Sequence, residues 1–287
     1  MDGKRHLFFR TVWRSVNAVL AVAVVSAIYA GVWEYSVRRY LKGFSDAVVP
    51  EYALPEQKVQ AILAWMQTGP SRNIAITDPS GLAKRDPETT LNYQQLLSVC
   101  GTATNAFLNL ARSGGLSVRR LLLLTPDRNT KHVVAEVFIN DKWIIVDPTY
   151  RVLLRNASGG LLTRTQLKDP EVFADATSRV PGYPSEYNFE HFAHVRLAKL
   201  PMDGLGLRRM LDGIVPGWDE SLDWSLLLER ESFLLLVASV GLTMIFLLLR
   251  AVLAWYADSR LRIPRFHLRE HFVRAGVAFF FTPEIKQ

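Results

Sequence analysis

Cys100 is the one cysteine among 287 residues, and it opens Cys100-Gly101-Thr102-Ala103, where the pattern predicts a helix start. A histidine follows inside an apolar run, Lys131-His132-Val133-Val134-Ala135-Glu136-Val137-Phe138-Ile139. An aspartate closes the next run, Lys142-Trp143-Ile144-Ile145-Val146-Asp147-Pro148-Thr149. Thiol, imidazole and carboxylate, each on a different element, are the parts of an activated sulfur nucleophile. The imidazole takes the thiol proton, the carboxylate holds the imidazole in the useful tautomer, and a helix N-terminus favours thiolate over thiol. A single cysteine cannot close an intramolecular disulfide, so the usual structural reason for keeping one is missing. Taken singly, each residue has an ordinary reading. Cys100 is a small apolar side chain, His132 a core histidine, and Asp147 before proline a turn former. Their order and strand context together favour chemistry.

Three elements must position these side chains. Ala103, Ala106, Phe107, Leu110 and Ala111 give Cys100–Arg112 one apolar helical face, and Gly114-Gly115 is its stop signal. Ser117–Thr125 and His132–Ile139 read as strands, Asn140-Asp141 as a hairpin turn and Lys142–Val146 as the returning strand. Helix followed by antiparallel sheet is an α+β layout. Upstream, Glu56–Gln67 reads as a surface helix with Val59, Ile62, Leu63 and Met66 inward, and Ser71–Thr90 as a loop leading to the cysteine. Downstream, Thr163–Phe173 is expected to be a helix, Pro181-Gly182-Tyr183-Pro184 a turn, and Tyr187–Leu200 either strand or helix.

This set of motifs resembles the transglutaminase-like superfamily, which shares its core with papain-type cysteine proteases. The family pattern is a cysteine at the start of a small-residue helix ending in glycine, then a His-x-x-x-Glu-Val strand and a Trp-x-x-x-Asp-Pro-Thr strand. Here these are Cys100 to Gly114-Gly115, His132 to Val137, and Trp143 to Thr149. The resemblance covers Leu91–Tyr150, roughly a fifth of the chain. It implies that Cys100 attacks an amide carbonyl to form a thioester, with His132 as base then acid and Asp147 as its orienter. The Cys100 backbone N–H would be one oxyanion donor and the Gln94 side chain the second, with Gln95 as its rival. Val134 stands where family members often carry an aromatic residue, which bears on the cleft's shape. The calcium-binding and β-sandwich domains of animal transglutaminases have no room here, so calcium dependence is not implied.

Part of the chain is not globular in character. Ser15–Trp33 and Ser232–Leu249 carry no charge, and each approaches the roughly 20 apolar residues that cross a bilayer core. The sequence therefore divides into a cytoplasmic N-terminus (1–14), a transmembrane helix (15–33), an extracytoplasmic domain (34–230, core motifs 91–150), a second transmembrane helix (231–257) and a basic cytoplasmic tail (258–287). A cleaved signal peptide is the alternative for the first run, since Lys4, Arg5, Arg10 and Arg14 precede it, but no small-x-small cleavage site follows. Arg250, Arg260, Arg262, Arg265 and Arg269 follow the second run, while Arg230 alone lies close before it. That asymmetry puts both termini in the cytoplasm and the middle domain outside the plasma (inner) membrane.

The net charge of +7 is thus largely a topology signal, and the arginines also suit anionic lipid. No zinc-finger, ribonucleoprotein or helix-turn-helix pattern supports nucleic-acid binding. His191 and His194 sit three apart, a helical metal-ligand spacing, but no cysteine or acidic partner accompanies them, so neither metal nor cofactor is expected. The expected activity is a membrane-anchored thiol enzyme acting on amide bonds, a protease/amidase or a transamidase. Its expected partners are a polypeptide substrate or envelope protein, the lipid bilayer and a membrane complex. The alternative, from another class, is a non-catalytic envelope assembly factor whose groove holds a peptide.

Overall fold

The computed structural model describes residues 2–68, 100–194, 210, 213–216, 227 and 230–261. Two compact units are present, one formed by Met1–Ala27 with Ala238–Gln287 and the other by Ile28–Val237. In the first, the N-terminal part of helix α1 (Asp2–Val48) and the C-terminal part of helix α5 (Glu231–Tyr256) are apolar. Arg250 lies over the Trp13 ring there, and Phe9 stacks on Trp13. Two helical stretches, Leu7–Val48 and Glu231–Arg260, have windows of mean hydropathy 2.0 and 2.6, long and apolar enough to cross a membrane.

The second unit is α+β. Its sheet has the order β4-β3-β2-β1-β5, antiparallel throughout, built from β1 (Val118–Leu124), β2 (Thr130–Ile139), β3 (Lys142–Asp147), β4 (Val152–Leu153) and β5 (Phe192–Ala193). Helix α3 (Cys100–Ser113) packs on one face, where Ala103, Ala106, Phe107, Leu110 and Ala111 meet Ala135, Val137, Ile144 and Val146. Helix α2 (Pro55–Thr68) joins that layer through Val59, Ile62, Leu63 and Met66, and the end of α1 through Val37 and Leu41. The opposite face, with Leu121, Leu123, Val134 and Ile145, is covered by Leu162, Leu167, Phe173 and Phe189. Period-two alternation sends neighbouring residues of β2 into two different cores, so the strand is buried from His132 to Val137.

Local chemistry sets the ends of these elements. Helix α3 closes with Leu116 N–H on Ala111 O and Gly115 N–H on Arg112 O, at 2.9 and 3.1 Å, and Gly115 has φ +83°. This paired closure needs a left-handed residue, which glycine supplies without a Cβ penalty. Between β2 and β3, Asn140 and Asp141 have φ +48° and +62°, the two-residue hairpin geometry that matches strand twist and suits Asn and Asp.

The helix expected at Thr163–Phe173 is displaced. A 3₁₀ turn covers Gln166–Lys168, and helix α4 runs Pro170–Ser178. Asp169, held extended (ψ 121°) before proline, is the N-cap and accepts from Glu171 N–H at 2.9 Å, with Pro170 in the first turn. Of Tyr187–Leu200, Phe192–Ala193 form β5 and residues 195–200 lie outside the described ones. His191 and His194 are therefore on no helix, and the ligand spacing argued from one does not apply. His191 is exposed, whereas His194 is buried with Nδ1 2.6 Å from the Arg120 carbonyl oxygen.

Polar contacts also fasten the lower part of α1 within this unit. Buried Glu34 accepts from Arg38 at 2.7 Å, from Arg230 at 2.9 Å and from the Ser232 hydroxyl at 2.7 Å. Ser45 donates to the Leu110 carbonyl of α3 at 3.2 Å.

Candidate active site

Cys100, His132 and Asp147 come together where the N-terminus of α3 meets the end of the sheet. The register Ala135↔Val146, continued one step, sets Val134 opposite Asp147. His132 is then the diagonal neighbour of Asp147 on the same sheet face, within reach of a long side chain. Helix and strand are tied there by the Thr104 hydroxyl, which donates to the Val133 carbonyl at 2.9 Å. Cys100 is half-buried and packs beside Leu122, Leu124, Val133 and Ala193.

His132 Nε2 lies 2.7 Å from Asp147 Oδ2, with both side chains buried. An ionised carboxylate only accepts, so the ring is protonated at Nε2. That leaves Nδ1 for the thiol of Cys100, which lies close enough to raise the proton affinity of the ring. Asp147 is itself held firmly. Its Oδ1 accepts the Thr149 and Tyr150 N–H groups at 3.0 and 3.3 Å, and its Oδ2 also accepts the Tyr183 hydroxyl at 2.9 Å.

Burial pushes the Cys100 thiol up, but the hydrogen bond and charge of His132, with the Val133 and Gly101 N–H groups, outweigh it, and the net direction is down. Burial alone would lower His132. Its hydrogen bonds and charge interactions with Asp147 and Cys100 win instead and raise it to about 9. The two directions together favour a thiolate–imidazolium pair, a state that belongs to the pair rather than to either residue. Tyr183 is held well above the ordinary phenol range by burial and then by the Asp147 charge, so it stays a donor.

Three aromatic residues surround the imidazole, and sequence reasoning did not single them out. Tyr187 stacks face to face on it, with centroids 4.1 Å apart and planes 3° from parallel. Tyr150 approaches edge-on at 6.2 Å, and Tyr183 contacts both Tyr150 and Tyr187. The Pro181–Pro184 turn was legible, but no spacing rule links it to a carboxylate 36 residues upstream. Gln94 and Gln95, the expected oxyanion donors, lie outside the described residues. Among the described residues, no three His, Cys, Asp or Glu side chains are gathered as a metal site.

Residues 42–148 match the family model of the transglutaminase-like superfamily. The chain carries a transglutaminase-like domain. No curated protein and no solved structure matches the chain. The match begins at Lys42, far upstream of the Leu91 limit of the sequence resemblance. The transglutaminase-like region therefore takes in the last turns of α1 and all of α2, the helix that packs with α3 over the sheet.

Proposed function

We propose that the transglutaminase-like domain is a thiol enzyme acting on amide bonds, with Cys100 as nucleophile, His132 as acid and base, and Asp147 as orienter. The observation that carries this reading is the His132 imidazole held 2.7 Å from the Asp147 carboxylate beside Cys100, which packs against Val133 at the start of α3. The Cys100 thiolate adds to the amide carbonyl carbon, and the oxygen takes the negative charge. Unpaired N–H groups of the first turn of α3 supply donors toward that oxygen. Collapse breaks the C–N bond while His132 hands its Nδ1 proton to the departing amine, leaving a thioester. Water, or a substrate amine, then attacks the thioester as His132 takes back a proton, and Cys100 leaves as thiolate.

The pH dependence of iodoacetamide alkylation tests the reading. Cys100 is lowered and His132 raised to about 9, so the rate should rise in two steps. The first, as thiolate forms beside imidazolium, falls below the ordinary thiol value of about 8.5. The second, near pH 9, marks loss of the imidazolium proton and release of a freer thiolate. Turnover, which needs that proton for the leaving group, should instead decline above about pH 9. EDTA should change neither profile. A single ordinary thiol titration would assign the fold to peptide binding without turnover, the role of an assembly factor.

The same proposal places the domain outside a plasma membrane, anchored by α1 and α5. The supporting signal is the arginine cluster after Leu249, of which Arg250 and Arg260 are described. Before the second helix only Arg230 lies close. A tag inserted at exposed Gly160 should react with an impermeant reagent in intact cells, and one at Gln287 should not. Labelling of the Gln287 tag alone would reverse the orientation. An envelope protein or peptide is the substrate class that this placement favours.

A further inference from the structure

Residues 181–188 form a tight double turn in which Tyr183 N–H bonds the Val180 carbonyl and Tyr187 N–H the Pro184 carbonyl, each at 3.2 Å. Gly182 has φ +69°, a conformation that strains any residue with a Cβ. The turn is fixed to the sheet on both sides. Lys131 donates to Asn188 at 2.7 Å, and Leu124 N–H to the His191 carbonyl at 2.8 Å. One turn thus delivers two side chains to the site. Tyr183 reaches the Asp147 oxygen that also takes His132, and Tyr187 lies flat on the imidazole.

We propose that Tyr187 is a positioning residue that clamps the His132 ring in the plane of its Asp147 and Cys100 contacts, and that Tyr183 steadies the carboxylate from the same turn. The proposal rests on the thiol-enzyme reading above. Rotation of the imidazole would sweep its edge through the Tyr187 ring, so face-to-face contact at 4.1 Å blocks it. The stack has an electronic consequence as well. An aromatic face within about 6 Å attracts a cation, so Tyr187 favours imidazolium over imidazole. Tyr183 acts in the opposite sense, because its hydroxyl competes with His132 for the charge on Asp147 Oδ2.

The titratable groups around the imidazole, among the described residues, come from each element packed on it. They are Cys100 from α3, Asp147 from β3, Tyr150 from the turn after β3, and Tyr183, Glu186 and Tyr187 from the double turn. Lys131, next to it on β2, is engaged with Asn188. Tyr150, Tyr183 and Tyr187 are neutral, so removing one changes the field at His132 without removing a charge, and the last two come from the double turn.

The test is the alkylation profile of the full chain in detergent. Tyr187→Leu, which keeps bulk and removes the aromatic face, should lower the step near pH 9 by about half to one pH unit. It should also move the thiol step upward, as the imidazolium becomes a weaker partner. Tyr187→Phe should leave both steps in place. Tyr183→Phe, almost isosteric, should move the step near pH 9 upward, because Asp147 Oδ2 then serves His132 alone. Opposite shifts from two substitutions in one turn are not produced by general loosening. A two-step wild-type profile that Tyr187→Leu does not move would overturn the clamp and leave the thiol reading standing. A wild-type profile with one ordinary thiol step would overturn both.

Discussion

Replacing His132 with Ala should cost Cys100 roughly ten- to a hundredfold in alkylation rate at pH 6, where the wild-type thiol still reacts. Thiolate fraction sets the size of the loss. An unperturbed thiol with a pKa of about 8.5 is only about 0.3 per cent ionised at pH 6. In the native site, burial works against ionisation, and the His132 hydrogen bond and charge are the chief influences that reverse it. Removing the imidazole leaves the burial penalty with only the Val133 and Gly101 N–H groups and the helix end to oppose it. The profile should then collapse to one step at or above the ordinary thiol value. Retention of fast labelling at pH 6 in the variant would remove His132 from the proposed chemistry and make the helix terminus the dominant influence. The substitution also leaves Asp147 buried with one partner fewer, so circular dichroism should be recorded beside the rates.

Phe107→Ala should destabilise the transglutaminase-like domain by about 3–5 kcal/mol, the cost of truncating a large aromatic side chain in a packed core. Phe107 is fully buried on α3, seven residues from Cys100 and so on the same helical face, among the residues that join α2, α3 and the sheet. For a unit of this size each kcal/mol corresponds to about 2–4 °C, so Tm should fall by roughly 6–20 °C. Phe107→Leu should cost less, because most of the volume remains. A loss below about 1 kcal/mol for the alanine variant would mean that α3 is not seated as described. The position of Cys100 relative to His132 would then lose its structural basis. Alkylation of surviving folded protein should stay close to wild type, separating fold stability from site chemistry.

The site was legible in unequal parts. Cys100, His132 and Asp147 announced themselves because each sits at a boundary where local pattern is strong. One opens an apolar-faced helix, one begins an apolar strand, and one ends the returning strand before Pro148. The hairpin between them was equally plain, since Asn140-Asp141 is among the few dipeptides that accept two left-handed residues. Helix α4 shows where local pattern misled. One helix was expected over Thr163–Phe173, but Pro170 cannot donate the hydrogen bond that a helix interior requires, and Asp169 caps a fresh start instead. Helix α1 runs on past its membrane-sized apolar run through Val48, and its later turns join the transglutaminase-like core.

What the sequence determined by itself is whatever depends on near neighbours along the chain. That includes the α+β order, the apolar faces of α2 and α3, the two membrane-length helices and the three side chains of the candidate triad. What only the tertiary structure decided is the environment of the imidazole. Tyr183 and Tyr187 are ordinary turn and loop residues until the sheet, α4 and the 181–188 turn close around His132. The physical reason is separation. Hydrogen bonds and ring stacking act over a few ångströms in space, and no periodicity in the chain records a contact between residues 36 or 55 positions apart.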